Sequence, residues 1–560
     1  MNWLLPIILS SVGIMLSRAA AEPAVFVTSD ERTGRHMSRM WDVYGQIVDD
    51  AVVRFGNEPA WYEWMALKLM WSDLEQDKQT LRQKVVDWPI NRHGYVWTWA
   101  TEEGWPTHHG RHYENNGKYI MSVCRQFAWT NDRSFLAEVD RTTTQSQFPD
   151  HTDVSQGMTV LEKTRLAMRF QLHHMHGRDG LLRIDDPQVD GTVDGLPGDY
   201  WDNFRFGYLS AYTNIYFYGS LLLMADLEEA LGNARTGERL RAIAAKTRQR
   251  FNETFWDDEK GRYIGCIDRT GRVWDFGFTY LNLEAIFYGL VPDDRARQIF
   301  AWLDGERIIA SDLQEVRGRT VGSVGEDIYA LRWAPRSITR AVESIQVDGK
   351  YWWWDINGAI TVGGGRPTAA YGEHLENGGA IFYVSFYDVM ARLKVLGPEA
   401  AWQRLSAIID EFGIDELRRD PVNPVGAPWV WGIIGEFPES GLVPTTFVHG
   451  LMGVDARHDG LHIRPELPEA LEWAEIRTLA YRGNLWRIRA ERSEPGHVAR
   501  IELNATNAPR HGLTLHNLRP KTLYTIRLDN QSQRRVSDDA GRLHLPRVGA
   551  RRIIVEQQDR

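Results

Sequence analysis

Cysteine is nearly absent: 560 residues hold only Cys124 and Cys266. Two thiols cannot supply a disulfide framework, so an apolar core has to hold the fold. Both lie in apolar stretches and read as buried free thiols. Basic runs are missing and the formal net charge is −10, which argues against a nucleic-acid partner. The glycine run Gly363-Gly364-Gly365 lacks the strand, loop and helix setting of a phosphate-binding loop, and no Gly-x-Ser-x-Gly elbow occurs. The histidines of Thr107-His108-His109-Gly110-Arg111-His112 do not have zinc-protease spacing. Neither a metal nor a cofactor is therefore expected. Long hydrophobic runs are also missing, except at the N-terminus. There Trp3 to Leu16 is apolar and Ala19-Ala20-Ala21 follows, the pattern of a secretory signal peptide over residues 1–21, although its start has no Lys or Arg. The expectation is a periplasmic or secreted protein, free of the membrane once that segment is cleaved.

What the chain has in excess is tryptophan, 23 residues, beside 20 tyrosines and 20 phenylalanines. Such an excess fits a large helical core. It also fits carbohydrate binding, because flat sugar faces stack on aromatic rings.

The stretch Leu196 to Gly232 organises the rest. It opens with Gly198-Asp199-Tyr200-Trp201-Asp202-Asn203-Phe204, which is turn chemistry with two carboxyls among aromatics. A helix over about Tyr208 to Leu231 follows, apolar on nearly every face, so protein must surround it. Helical spacing also predicts helices over 36–55, 61–81, 118–129, 161–176, 234–255, 276–290, 293–303, 379–396 and 399–412, with a further helix starting at Asp132. Three times an all-apolar helix gives way, after a Gly or Pro break, to an amphipathic one. That is the pattern of an inner and an outer helix in a double-layered ring. Irregular segments, Trp88 to Tyr113, Asp185 to Phe206 and Leu313 to His374, would then gather at one end as a cleft. From about Gly460 the apolar period changes to two, with turn signals between short runs, which predicts a β-sandwich. The expected domains are a helical ring over 22–456 and a sandwich over 457–560.

Carboxyls in aromatic surroundings are the candidates for chemistry. Trp-Asp pairs end at Asp42, Asp202, Asp257, Asp275 and Asp355. Asp42 and Asp257 sit in or at the end of helical patterns and read as structural. Asp202, Asp275 and Asp355 lie in loops, as do Glu373, Glu376, Glu436 and Glu439. A single loop acid is as readily a helix N-cap as a catalyst.

Several of these segments together resemble the six-hairpin glycosidases, whose catalytic domain is an (α/α)6 toroid. Gly198 to Asp202, followed by Tyr212 and Asn214, is similar to their general-acid loop. Glu376-Asn377-Gly378-Gly379 is similar to the turn that opens a late inner helix. Gly435-Glu436-Phe437-Pro438-Glu439-Ser440 is similar to the loop carrying the general base, and Gly460 to Pro468 to the entry of a C-terminal sandwich. The likeness runs from about residue 110 onward. It departs in lacking a large N-terminal β-domain and the Trp-Glu dipeptide of the base loop, so Glu436 and Glu439 both stay open. The resemblance implies a mainly α protein, an (α/α)6 toroid with an antiparallel sandwich, acting as an inverting exo-glycosidase of the α-L-rhamnosidase or α-glucosidase kind. Asp202 is then the general acid and Glu436 or Glu439 the base. Trp97, Trp99, Trp105 and Trp353 are candidate stacking walls. Asp199, Trp201, Arg205, His112, Glu114, Glu373 and Glu376 are candidates to bind sugar. Three other readings stand beside this one: a polysaccharide lyase using His112, Tyr113 and Asn115, a disaccharide phosphorylase, and a sugar-binding protein without catalysis.

Overall fold

The computed structural model describes residues 25–45, 59–98, 111–141, 155–192, 195–201, 206–312, 314–316, 319–321, 346–347, 350–351, 361–362, 366–367, 381–416, 438–494 and 496–558. Among these residues the chain alternates outer and inner helical elements around a ring. The outer helices are Glu31–Tyr44, Glu75–Asp87, Val160–Arg169, Ala234–Thr254, Asp293–Leu303 and Pro398–Asp415. The inner ones are Tyr62–Leu69, Asn115–Thr130, Ala211–Ala230, Thr279–Tyr288 and Phe382–Leu396, and then the 3-10 helix Pro438–Thr445 with the π turn Phe447–Leu451. Each inner element packs on the next, and Pro438–Thr445 packs on both Phe382–Leu396 and Tyr62–Leu69, so the ring closes. This is the (α/α)6 toroid.

Local sequence explains the elements. Asp30 caps the first outer helix by accepting the Arg32 and Thr33 amides. Thr159 and Glu162 form a reciprocal capping box on the third. Outer helices keep a polar stripe, whereas Ala211–Ala230 is buried almost all round. Inner helices also approach closely: a Cβ on Gly117 would meet the Tyr216 carbonyl oxygen at 2.8 Å.

Helix boundaries fall close to the expected ones for Ala234–Thr254, Asp293–Leu303 and Phe382–Leu396. The helix expected over 61–81 is two. Ser72 accepts the Leu74 amide and donates to the Leu69 carbonyl, which turns the chain between Tyr62–Leu69 and Glu75–Asp87. The helix expected from Asp132 is one turn, Arg133–Leu136.

The sandwich has a seven-stranded antiparallel sheet and a four-stranded one. The smaller sheet contains a parallel pair, Gly460–Ile463 with Gly512–Leu515. The larger sheet begins with Phe26–Thr28, which pairs antiparallel with Ala474 to Ile476 and so adds an N-terminal strand to a C-terminal sheet. Inward residues such as Ile488, Ile501, Val555, Leu461 and Leu513 are buried in one continuous core with the ring. Cys124 and Cys266 are both free and buried. No helix of the described residues is long and apolar enough to cross a membrane.

Candidate active site

The N-terminal ends of the inner helices converge. Glu114 immediately precedes Asn115–Thr130, and Asp199, Tyr200 and Trp201 lie in the loop before Ala211–Ala230. Tyr280, Tyr383 and Glu439 each occupy the first turn of an inner element. A short sheet joins Leu209–Ser210 to Cys266–Ile267 and Val273–Trp274, which draws two of these loops together. Trp201 consequently stacks on Tyr280, with ring centroids 3.7 Å apart and planes 20° from parallel. Tyr200 meets the Trp64 ring edge-on at 4.9 Å.

Glu439 is the focus. Its carboxyl is fully buried, and Oε1 accepts the Tyr200 hydroxyl. Oε2 has no hydrogen-bond partner among the described residues. Burial raises its pKa to about 7, against the opposing pull of the Tyr200 hydroxyl, Lys118 and Lys68. A carboxyl balanced near neutrality can take or give a proton.

Two more carboxyls face it across Tyr200. Glu114 Oε1 accepts the Tyr200 amide at 2.8 Å. Asp199 accepts the Trp201 amide at 3.2 Å and the Ser210 hydroxyl at 3.1 Å, while Ser210 caps the following helix. Burial, then the nearby Glu114 charge, push the Asp199 pKa well above the usual carboxylate range. Asp199 thus ties its loop to the helix start. His112 is buried as well, with Nδ1 4.0 Å from Glu114 Oε1 and its amide on Thr98 at 3.0 Å.

Behind these groups the ring axis is polar. Lys118 donates to the Tyr212 hydroxyl at 3.1 Å and lies 3.6 Å from the Trp64 ring centroid. Glu284 accepts the Tyr383 hydroxyl at 3.4 Å, and burial raises its pKa to about 8. Tyr387 accepts the Trp64 indole N–H at 2.8 Å. Sequence reading missed Lys118, Glu284 and this tyrosine set. The available signal was a charged residue inside an otherwise apolar inner helix, as in Thr279-Tyr280-Leu281-Asn282-Leu283-Glu284.

Of the sequence candidates, His112, Glu114, Asp199, Trp201 and Glu439 come together. Trp97 is buried, and its carbonyl accepts the Trp88 indole at 2.9 Å. Asp202, Arg205, Glu436, Trp99, Trp105, Trp353, Glu373, Glu376 and Asp355 lie outside the described residues. Asp275 is elsewhere: it pairs with Lys260 at 3.0 Å and Arg262 at 2.8 Å, and Arg262 also grips Asp312. These cations hold its pKa below the usual value despite burial, so its role is structural. Among the described residues no group of three or more His, Cys, Asp or Glu is placed to hold a metal.

No protein-family model matches the sequence, and no curated protein matches it. Solved structures do match. An α-L-rhamnosidase from Dictyoglumus thermophilum superposes with a TM-score of 0.54 at 11% identity, covering 95% of this chain and 50% of that one. An α-L-rhamnosidase from Aspergillus terreus gives 0.49 at 10% identity, covering 95% and 49%. The chain therefore spans about half the length of these matches. The architecture shared with the first of these is an (α/α)6 barrel carrying a β-sandwich.

Proposed function

We propose that this protein is an exported, inverting exo-glycosidase that cleaves an α-L-rhamnoside or α-glucoside, with Glu439 as general base and Asp202 as general acid. The observation that carries the reading is Glu439 itself: a buried carboxyl, oriented by Tyr200, with one oxygen that has no partner among the described residues and a pKa of about 7. Ionised Glu439 takes a proton from water, and the water oxygen attacks the anomeric carbon. Asp202, three residues beyond the anchored Asp199, protonates the departing oxygen. An inverting pair needs carboxyls about 6.5–9.5 Å apart to admit that water. Glu436 is the alternative base. The rhamnosidase fold supports the sugar class, and the leader-like segment Trp3 to Leu16 supports export.

Tyr113 speaks against the lyase reading. It donates its hydroxyl to Asp186 at 3.0 Å, and burial with neighbouring Tyr95 and Asp186 pushes its pKa up, which makes it a poor base.

The test is proton NMR of oligosaccharide digests by wild type, Glu439→Gln and Asp202→Asn. Wild type should release a free monosaccharide whose first anomer is inverted, and each variant should lose about 10²–10⁴ in kcat. Wild-type turnover in Glu439→Gln would move the base to Glu436. An unsaturated uronide product would replace hydrolysis with elimination.

A further inference from the structure

Lys118 lies one turn inside the second inner helix, fully buried. We propose that it is a positioning residue whose ammonium keeps Glu439 ionised for its work as base; this rests on the glycosidase reading above. The geometry is an aromatic cage. Nζ lies 3.6 Å from the Trp64 ring centroid, 4.4 Å from Tyr216, 5.0 Å from Tyr200 and 5.2 Å from Tyr212, and it donates to the Tyr212 hydroxyl. Ring faces replace part of the water that a buried ammonium loses, so the charge is held in place.

Tyr200 links this cation to the carboxyl. Its ring faces Lys118, and its hydroxyl donates to Glu439. A cation on the ring face polarises the phenol and strengthens that donor. The same charge acts on Glu439 directly and stands in the balance that fixes its ionisation, ahead of Lys68.

Among the described residues, other groups also border Glu439 from the elements packed on it. Tyr383 lies on the fifth inner helix, and Lys68 on the first. From the first outer helix comes the Tyr44 carbonyl, which borders Gly441 together with Lys68. Glu284, on the fourth inner helix, competes for the field of Lys118. Lys68 is a weaker anchor because burial brings its own pKa down to about 7, into the range where Glu439 titrates. Lys118 is held by four rings and a hydroxyl.

The experiment is an infrared pH titration of the C=O stretch of protonated Glu439, assigned by its loss in Glu439→Gln. It uses the full-length chain and needs no substrate. In Lys118→Met the Glu439 transition should rise by about one pH unit or more, the ordinary effect of losing a nearby opposite charge. In Lys118→Arg it should stay near its wild-type position. Should the Met variant fail to fold, Lys118→Gln, which can still meet Tyr212, serves in its place. An unmoved transition in the folded neutral variant overturns the proposal. With a cleavable substrate, the acidic limb of kcat/KM should shift by the same amount in the same variant. A shifted infrared transition without any turnover would keep the electrostatic role of Lys118 and remove the glycosidase reading instead.

Discussion

Glu284 and Glu439 are carboxyls that folding makes harder to ionise, the reverse of a salt-bridged acid. Their pKa values rise from 4.5 to about 8 and about 7. Between the unfolded and folded values the native state binds more protons than the unfolded state, so stability falls as pH rises through that window. The burden is absent below about pH 4.5 and complete above about pH 8 for Glu284. Glu284→Gln removes it. Its melting temperature relative to wild type should therefore climb between pH 5 and pH 8, as read by thermal denaturation across a buffer series. A pH-independent difference would mean that Glu284 ionises normally. The proposed reaction would use the same physics with the opposite benefit, because a base with a pKa of about 7 grips its proton better than an ordinary carboxylate. The acidic limb of kcat/KM should accordingly lie near pH 7, rising with pH as Glu439 ionises; a limb near the ordinary glutamate value of 4.5 would exclude Glu439 as the base.

At the scale of elements, one device recurs. Asn214, in the first turn of its inner helix, accepts the Leu182 amide at 2.7 Å and donates to the Leu182 and Ser210 carbonyls. Asn282 repeats this with Tyr263 and Phe278: it accepts the Tyr263 amide at 2.9 Å and donates to both carbonyls. Each side chain therefore ties an inner helix to the segment following the preceding outer helix. Asn214→Ala or Asn282→Ala leaves buried backbone groups without partners and should cost about 2 kcal/mol or more, measured by denaturant unfolding. A loss under about 0.5 kcal/mol would mean that water substitutes for the amide.

The inner and outer alternation was legible because burial writes itself into hydrophobic period, as the all-apolar Ala211–Ala230 beside the striped Ala234–Thr254 shows. The break at Ser72 was not, since apolar spacing continues across it while a single hydroxyl ends the helix. Glu439 could be found by its loop setting among Phe437, Pro438 and Gly441. Lys118 and Glu284 gave only the signal of a charge inside an apolar helix, because their partners lie on other helices, and only the ring brings them near the same axis.

Across the whole molecule, the N-terminal strand connects the ring to the sandwich. Phe26 belongs to the larger sheet by its backbone, while its ring stacks on Phe447 at 4.5 Å and lies 5.7 Å from Trp71. Ser38, on the first outer helix, exchanges hydrogen bonds with both backbone groups of Phe26. Removing this ring should cost about 3–5 kcal/mol and weaken both units together. Phe26→Ala should lower the guanidinium midpoints followed by far-ultraviolet circular dichroism and by tryptophan fluorescence to the same extent. A drop confined to one signal would show that ring and sandwich unfold separately.

Closure of the ring by its last inner element also imposes an order in time. Tyr200 and Glu439 are 239 residues apart. At roughly 5–20 residues per second, the ribosome needs some tens of seconds to deliver the second after the first. During that interval the aromatic axis, with Trp64, Lys118 and Tyr216 already made, stands open on one side. The nascent barrel stays an incomplete ring until its last inner element is translated, and Tyr200 and Glu439 cannot meet before then.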